Sequence, residues 1–540
     1  MRQRLDATSA DALATHLQRL RSAADELEAM DAQALPAMAR IDRDAVLFHT
    51  RAVVDAGAAM PHGVAEEAQP YAVTQLSGMY YALPDFLCTK HPVASASDAQ
   101  AFIDRLAAFA DALDGETARI GAAAAGGVTP PAFVLETTLH NMRALLTTPV
   151  LETGVVASLV QRAREHGIAG DWERRARKIL DDQVRPALAR QVDQLAQAQR
   201  HGTDDAGVWK LPDGEACYAK AIVLHTTTRW DASAIHETGL AQVAELTSRL
   251  DAVLRAQGFT AGTVAERLAA LAVDERFVYP NDEQGKAQLL AEMRALVADV
   301  QQRLPELFDP LPRATLQVRA VPAAIEAGAP RGYYSSGSAD GRNPAAFYVN
   351  LRDTRDWKRW YAPSFAYHEG VPGHHLQIST ALESEDISMM RRALWFAAYG
   401  EGWALYAEQL ADEMGLYERN PMGRVGYLQS MLFRAARLVM DTGLHARRWT
   451  REQAVDYLVH TVGETPNRSR AEVDRYCVMP AQALSYKVGH LRWNQLREAS
   501  RARQGSQFDL KRFHGQALRW GAMPLDMLDG LVDLMVASGS

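Results

Sequence analysis

The chain has 540 residues, 48% of them hydrophobic and 23% charged, and its 58 basic against 66 acidic side chains leave a net charge of −8. That apolar content excludes a disordered or collagen-like chain and suffices for a large core. With a pI near 6.1 the surface repels phosphate backbones, and no basic patch stands out, so nucleic acid is not an expected partner.

In chain order, helical periodicity and helix-forming composition mark residues 10–30, 97–115, 170–200, 232–257, 286–304 and 451–461, with Asp, Ser or Thr often opening a segment. In the fourth of these, Ile235, Leu240, Val243, Leu246 and Leu250 form a recurrent apolar stripe. Breaks at residues 122–131 (AAAAGGVTPP), 201–207 (HGTDDAG) and 309–312 (DPLP) are short, and helix resumes after each, so they read as loops within one helical body. Strand signals cluster at residues 315–321 (TLQVRAV) and 346–351 (AFYVNL). Between them residues 331–340 (RGYYSSGSAD) read as a glycine- and tyrosine-rich loop. The expectation is a mainly α fold with a small sheet just before the most polar helix.

Three cysteines, Cys88, Cys217 and Cys477, are too few and too scattered for a disulfide framework or a structural zinc site. No run of about 18 apolar residues suggests a membrane span, and the charged start, Met1-Arg-Gln-Arg-Leu-Asp6, lacks the apolar stretch of a signal peptide. A cytoplasmic protein is expected from the chain as given, or a periplasmic one if a signal has been removed.

Chemistry concentrates in Phe365-Ala-Tyr-His-Glu-Gly-Val-Pro-Gly-His-His-Leu-Gln377, which holds three histidines and a glutamate within eight positions. Neutral imidazole is a good zinc ligand, and an adjacent carboxylate can take a proton from water activated by the metal. The usual zincin spacing of four is absent, because Pro372 occupies that position. In an unbroken helix His374 and His375 would lie roughly 9 and 10.5 Å along the axis from His368, too far to share an ion. Pro372 and Gly373 make such a helix improbable. A bulge at Val371 and Pro372 brings His374 into place, with His375 the alternative ligand. Glu401, surrounded by Trp395, Phe396, Tyr399, Trp403 and Leu405, is the candidate third ligand, since a buried carboxylate needs a strong partner. Glu408, seven residues on, is expected to hold a ligating histidine. A second His–Glu pair, His236 and Glu237, has Leu240 at the ligand position and reads as structural. No phosphate-binding loop is evident.

His368-Glu-Gly-Val-Pro-Gly-His-His375, Glu401-Gly-Trp-Ala-Leu-Tyr-Ala-Glu408, Asp441-Thr-Gly-Leu-His-Ala446, Glu472-Val-Asp-Arg-Tyr476, Pro480-Ala-Gln-Ala-Leu-Ser-Tyr-Lys487 and the Tyr333–Tyr334 loop together resemble the bacterial domain-of-unknown-function 885 family. That family is in turn similar to zinc metallopeptidases of the glutamate-zincin type, the thimet-oligopeptidase, angiotensin-converting and carboxypeptidase Taq groups. The resemblance implies a large helical zincin-like fold with a deep cleft, residues 1–209 contributing a helical part of it and residues 210–540 the metallopeptidase-like region, as one continuous unit. It also implies that residues 347–351 are an edge strand pairing with substrate by β-augmentation.

The expected chemistry is hydrolysis of small-peptide amides with one zinc ion, or another divalent transition metal, on His368, His374 and Glu401. Glu369 is the general base, and Tyr486, Tyr476 and His445 are candidate donors to the oxyanion. Asp441, one turn before His445, is a candidate to orient that imidazole. Arg475 is a candidate for a substrate carboxylate, or else pairs internally with Glu472. Tyr333, Tyr334 and Asn350 are candidate substrate contacts. Two alternatives stand beside this reading: a metal-dependent hydrolase of a non-peptide amide or N-acyl amino acid, and a non-catalytic helical binding protein with a degenerate zincin site. No membrane partner is expected, and the sequence leaves oligomeric state open.

Overall fold

A computed structural model describes residues 5–323, 326, 329–338 and 344–537, with side chains described to residue 532. Met1–Arg4 of the charged start, and Ala339 and Asp340 at the end of the tyrosine-rich segment, lie outside the described residues.

The fold is mainly α, with one small three-stranded sheet. The predicted helices form where their caps dictate. Ser9 and Ser95 accept hydrogen bonds from backbone N–H groups of the first turns of Ala10–Ala29 and Ala96–Ala125, which satisfies donors that a helix start leaves open. Reciprocal capping boxes at Thr263 with Glu266 and at Thr450 with Gln453 start Val264–Ala272 and Arg451–Val462. Two expectations shift. The segment 97–115 is the front half of a helix that runs on to Ala125, so alanine content carries it into the expected break. Residues 170–200 divide into Trp172–Ile179 and Arg185–Gln199, joined by a π-helical turn at Leu180–Val184.

The apolar interior forms two clusters. One is built from Ala72 to Leu195. The other joins Ile41 to Tyr71 with residues from the C-terminal two-thirds of the chain. At the centre of the larger cluster lies Pro421–Ala446, buried continuously from residue 430 to 445. A helix buried on every side belongs in a core, and Ala232–Ala256 packs on it, with Gly239 against Leu438 and Val439. A second tight crossing sets the site. Helices Ala397–Glu413 and Ser485–Gln504 touch at Gly402 and Gly489, where a Cβ on Gly402 would lie 2.4 Å from the Gly489 backbone and one on Gly489 would lie 1.9 Å from the Ala398 carbonyl oxygen.

The sheet corrects two expectations. Tyr333 and Tyr334 are not loop residues but lie in a strand, β2 (Gly332–Ser335), between β1 (Leu316–Ala320) and β3 (Ala345–Val349) in sequence. In space the order is β1-β3-β2, with β1 parallel and β2 antiparallel to β3. The strand at 347–351 is therefore the middle of the sheet, with both sides already paired, and cannot be the edge that accepts substrate. Its small and apolar residues Ala345, Ala346, Phe347 and Val349 are buried, as a central strand requires.

Candidate metal centre

The helix Ala362–Glu369 ends at Gly370, and Gly373 caps a new helix, His374–Glu383. The break is tight: a Cβ on Gly373 would lie 1.9 Å from the His368 carbonyl oxygen, so only glycine fits there. The Trp403 indole donates to the Pro372 carbonyl at 2.9 Å, fastening the break to the helix that carries Glu401. The interruption turns His374 back toward His368, and their rings meet edge to face with centroids 4.9 Å apart.

His368, His374 and Glu401 converge. One ligand atom from each lies within 4.8 Å of the others. Glu401 Oε2 is 3.3 Å from His368 Nε2 and 3.5 Å from His374 Nε2. A tetrahedral ion with bonds of about 2.1 Å separates its ligands by about 3.4 Å, so the donor types and their spacing fit a zinc-like ion. Both histidines are buried. His368 Nδ1 faces Glu408 Oε1 at 2.9 Å, which leaves Nε2 aimed at Glu401, and Ser364 donates to the other Glu408 oxygen. Among the described residues the ion pairs of Glu401 and Glu408 are with these histidines alone. Buried carboxylates lacking a lysine or arginine need another cation. Burial opposes charge on His368, but Glu401 and Glu408 outweigh it and push its pKa up to about 10. Burial likewise opposes charge on Glu401, yet His374 and His368 hold its carboxyl well below the usual range.

Glu369, next to His368, receives the Tyr334 backbone N–H on Oε2 at 2.9 Å. Burial raises its carboxyl, with the two histidines pulling the other way. The strand beside this carboxylate is β2, an edge of the sheet. His375 turns away from the cluster: its Nε2 meets the Ala314 carbonyl at 3.1 Å, and its Nδ1 lies 3.3 Å from the Tyr334 hydroxyl and from Ser379 Oγ.

Other candidates are placed elsewhere. His445 is fully engaged: Nδ1 accepts the Val208 N–H at 3.1 Å, and Nε2 donates to the Tyr476 carbonyl at 3.0 Å. Asp441 does not orient it, because its Oδ1 accepts from the Tyr218 hydroxyl at 2.6 Å and the Ala481 N–H at 3.1 Å. Tyr476 is completely buried, its hydroxyl donating to Glu472 at 2.8 Å and accepting from Arg437 at 3.0 Å. Arg475 makes the internal pair with Glu472, at 3.1 Å. Asn350 is a loop anchor: its amide donates to the Glu326 and Ala329 carbonyls at 2.8 and 3.1 Å. Tyr333 stacks on Tyr348, its partner across the strands, with centroids 5.0 Å apart. Tyr486 is half-buried and within the influence of Glu401, which together with burial raises its hydroxyl. His236 bonds Thr442 Oγ1 at 2.7 Å, and Glu237 pairs with Arg447. Sequence reasoning missed Ser364, Arg434 and Arg437. The two arginines stand alone as charges in the apolar run MLFRAARLVM, which is the signal that marks them.

A family model described as "Bacterial protein of unknown function (DUF885)" matches residues 1–532. Among solved structures, a "putative lipoprotein" from Colwellia psychrerythraea is similar over 99% of this chain and 93% of its own, at 29% identity and a TM-score of 0.91. A "putative lipoprotein of unknown function" from Shewanella oneidensis covers 99% and 94%, at 16% identity and a TM-score of 0.74, a likeness of fold. No curated protein matches. The chain belongs to the DUF885 family.

Proposed function

We propose that this DUF885 protein is a zinc-dependent hydrolase that cleaves amide bonds of small peptides. The observation that carries the reading is the convergence of His368, His374 and Glu401 beside a further carboxylate, Glu369, which pairs with no lysine or arginine among the described residues. A zinc ion on those three side chains supplies Lewis acidity toward water and toward the scissile carbonyl. Glu369 takes a proton from the attacking water on the oxygen not bonded to Tyr334 and hands it to the leaving amine nitrogen. Its raised carboxyl suits both tasks. Glu408 fixes the His368 ring so that Nε2 is presented to the metal, the usual role of a carboxylate behind a ligating histidine. The half-buried Tyr486 hydroxyl is the donor available to the developing oxyanion, whereas the Tyr476 hydroxyl and the His445 ring are committed within the core. An extended substrate lies along β2, the sheet edge next to Glu369. The descriptions of the two similar structures as lipoproteins support the periplasmic of the two locations the sequence left open.

Elemental analysis of the purified protein tests the reading. About one zinc per chain is expected in the wild type and in His375→Ala, with loss in His368→Ala, His374→Ala and Glu401→Ala. Glu369→Gln should keep its metal and lose roughly 10²–10⁴-fold in peptide hydrolysis. A wild type that takes up no metal after zinc is supplied and the excess removed overturns it.

A further inference from the structure

Helices Pro421–Ala446 and Pro466–Val478 carry three guanidinium groups, Arg434, Arg437 and Arg475, and Arg434 reaches Tyr361, which opens the helix that ends in His368 and Glu369. One carboxylate serves two of them: Glu472 Oε2 receives Arg437 Nη2 at 3.3 Å and Arg475 Nη2 at 3.1 Å. Arg475 is further engaged by Gln482 at 2.6 Å. Arg434 has no carboxylate partner among the described ion pairs. Its Nη1 donates to the Tyr361 hydroxyl at 2.7 Å and Ser430 Oγ at 2.9 Å, both neutral, while the nearby Glu464 pairs with Arg468. Arg434 and Arg437 are only 8% and 6% exposed, yet Arg434 Nε and Arg437 Nη1 are buried donors without a hydrogen-bond partner. Buried guanidinium donors are ordinarily satisfied, so these two are available to an acceptor that comes from outside the chain.

The position of that acceptor follows from Tyr486. Its ring lies 4.7 Å from Arg437 Cζ and 5.8 Å from Arg434 Cζ, and it stands three residues before Gly489, whose backbone meets that of Gly402, the neighbour of Glu401. The half-buried Tyr486 thus stands between the guanidinium pair and the helix that carries the metal-ligating carboxylate. A planar, delocalised cation with parallel N–H groups matches a carboxylate better than it matches any neutral group.

We propose that Arg434 and Arg437 form a carboxylate-recognition subsite adjoining the metal centre, which takes a peptide through a free carboxylate. The inference rests on the hydrolase reading and narrows it to peptides held by that anion beside the cleaved bond. The carboxylate comes either from the chain terminus or from an acidic side chain, and the test separates the two.

The experiment is calorimetric binding to the full-length, metal-stripped protein with three probes: N-acetyl-Ala-Ala-Ala, its C-terminal amide, and N-acetyl-Ala-Glu-Ala amide. At least one of the two carboxylate-bearing probes should bind at least about 10-fold tighter than the alanine amide, as a charge-assisted bidentate contact implies. Arg434→Gln should bring the preferred probe within about twofold of the alanine amide. Arg434→Lys, which keeps the charge without the planar fork, should give an intermediate preference and guards against a misfolded glutamine variant. Tight binding of the glutamate-containing amide assigns the subsite to an acidic side chain; weak binding assigns it to the terminus. Equal affinity for all three probes, or no binding of any probe, overturns the proposal. With metal absent throughout, that failure is distinct from failure of the elemental analysis, which bears on the hydrolase reading alone.

Discussion

At His374 and at His445 the chain buries an imidazole on a helix with carboxylates close by in sequence, and the two sites end in opposite states. Around His445 the backbone consumes both ring nitrogens, one through Val208 and one through Tyr476, and burial pushes the imidazole down to about 4. Around His374, among the described residues, Nδ1 has no hydrogen-bond partner and Nε2 faces Glu401 rather than a backbone group. The difference teaches that proximity of histidine and acid does not make a site. What counts is whether the neighbouring backbone has already saturated the ring.

That contrast can be broken from either side. The largest effect is expected from exchanging the two histidines' fates. His374→Ala should abolish stoichiometric zinc with little loss of stability. His445→Ala should leave metal content unchanged and cost about 2–4 kcal/mol, since it opens a cavity and strands the Val208 N–H. Urea melts read beside elemental analysis check both. A smaller effect is expected at Glu408. Glu408→Gln keeps the shape behind His368 but weakens its hold, and zinc affinity should fall roughly 10–100-fold in a competition titration with a chelator. The smallest sharpens the core side of the comparison. Burial pushes the Asp441 carboxyl up to about 7 from an ordinary 3.8. An acid whose pKa is raised on folding contributes stability that is complete below its unfolded value and is lost as pH rises through the folded one. Stability attributable to Asp441 should therefore decline between about pH 4 and 7. Asp441→Asn, whose amide oxygen can still accept from Tyr218 and Ala481, should flatten that part of the profile in melts taken from pH 4 to 8.

Much of the helical fold was legible because caps and periodicity are local. Asp231 and Ser9 start their helices within a residue of expectation. The grouping of His368, His374 and Glu401 was legible for a different reason: Pro372 and Gly373 forbid a straight helix, so the chain must turn the second histidine back. The order of the strands was not, since pairing in a sheet depends on partners far apart in sequence, and the central and edge roles of β3 and β2 cannot be told from two short apolar runs. Asp441 and His445 misled for a related reason. Positions four apart on a helix are neighbours, but Tyr218 and Ala481 reach Asp441 from other elements. Arg434 and Arg437 are marked as lone charges in the run MLFRAARLVM, but what they meet is not, since Tyr361 and Glu472 lie far away in the chain.

The crossing at Gly402 and Gly489 has a further consequence. Because the two helices meet backbone to backbone there, the interval between Glu401 and Tyr486, each within three residues of the contact, is a dimension of the main chain. Side chains nearby can be exchanged without altering it. A single methyl at Gly402 would act as a wedge, prising the carboxylate's helix from its neighbour and displacing Glu401 from both histidines with every ligand still in place. The tolerance of the site is thereby concentrated in two residues that carry no functional group at all.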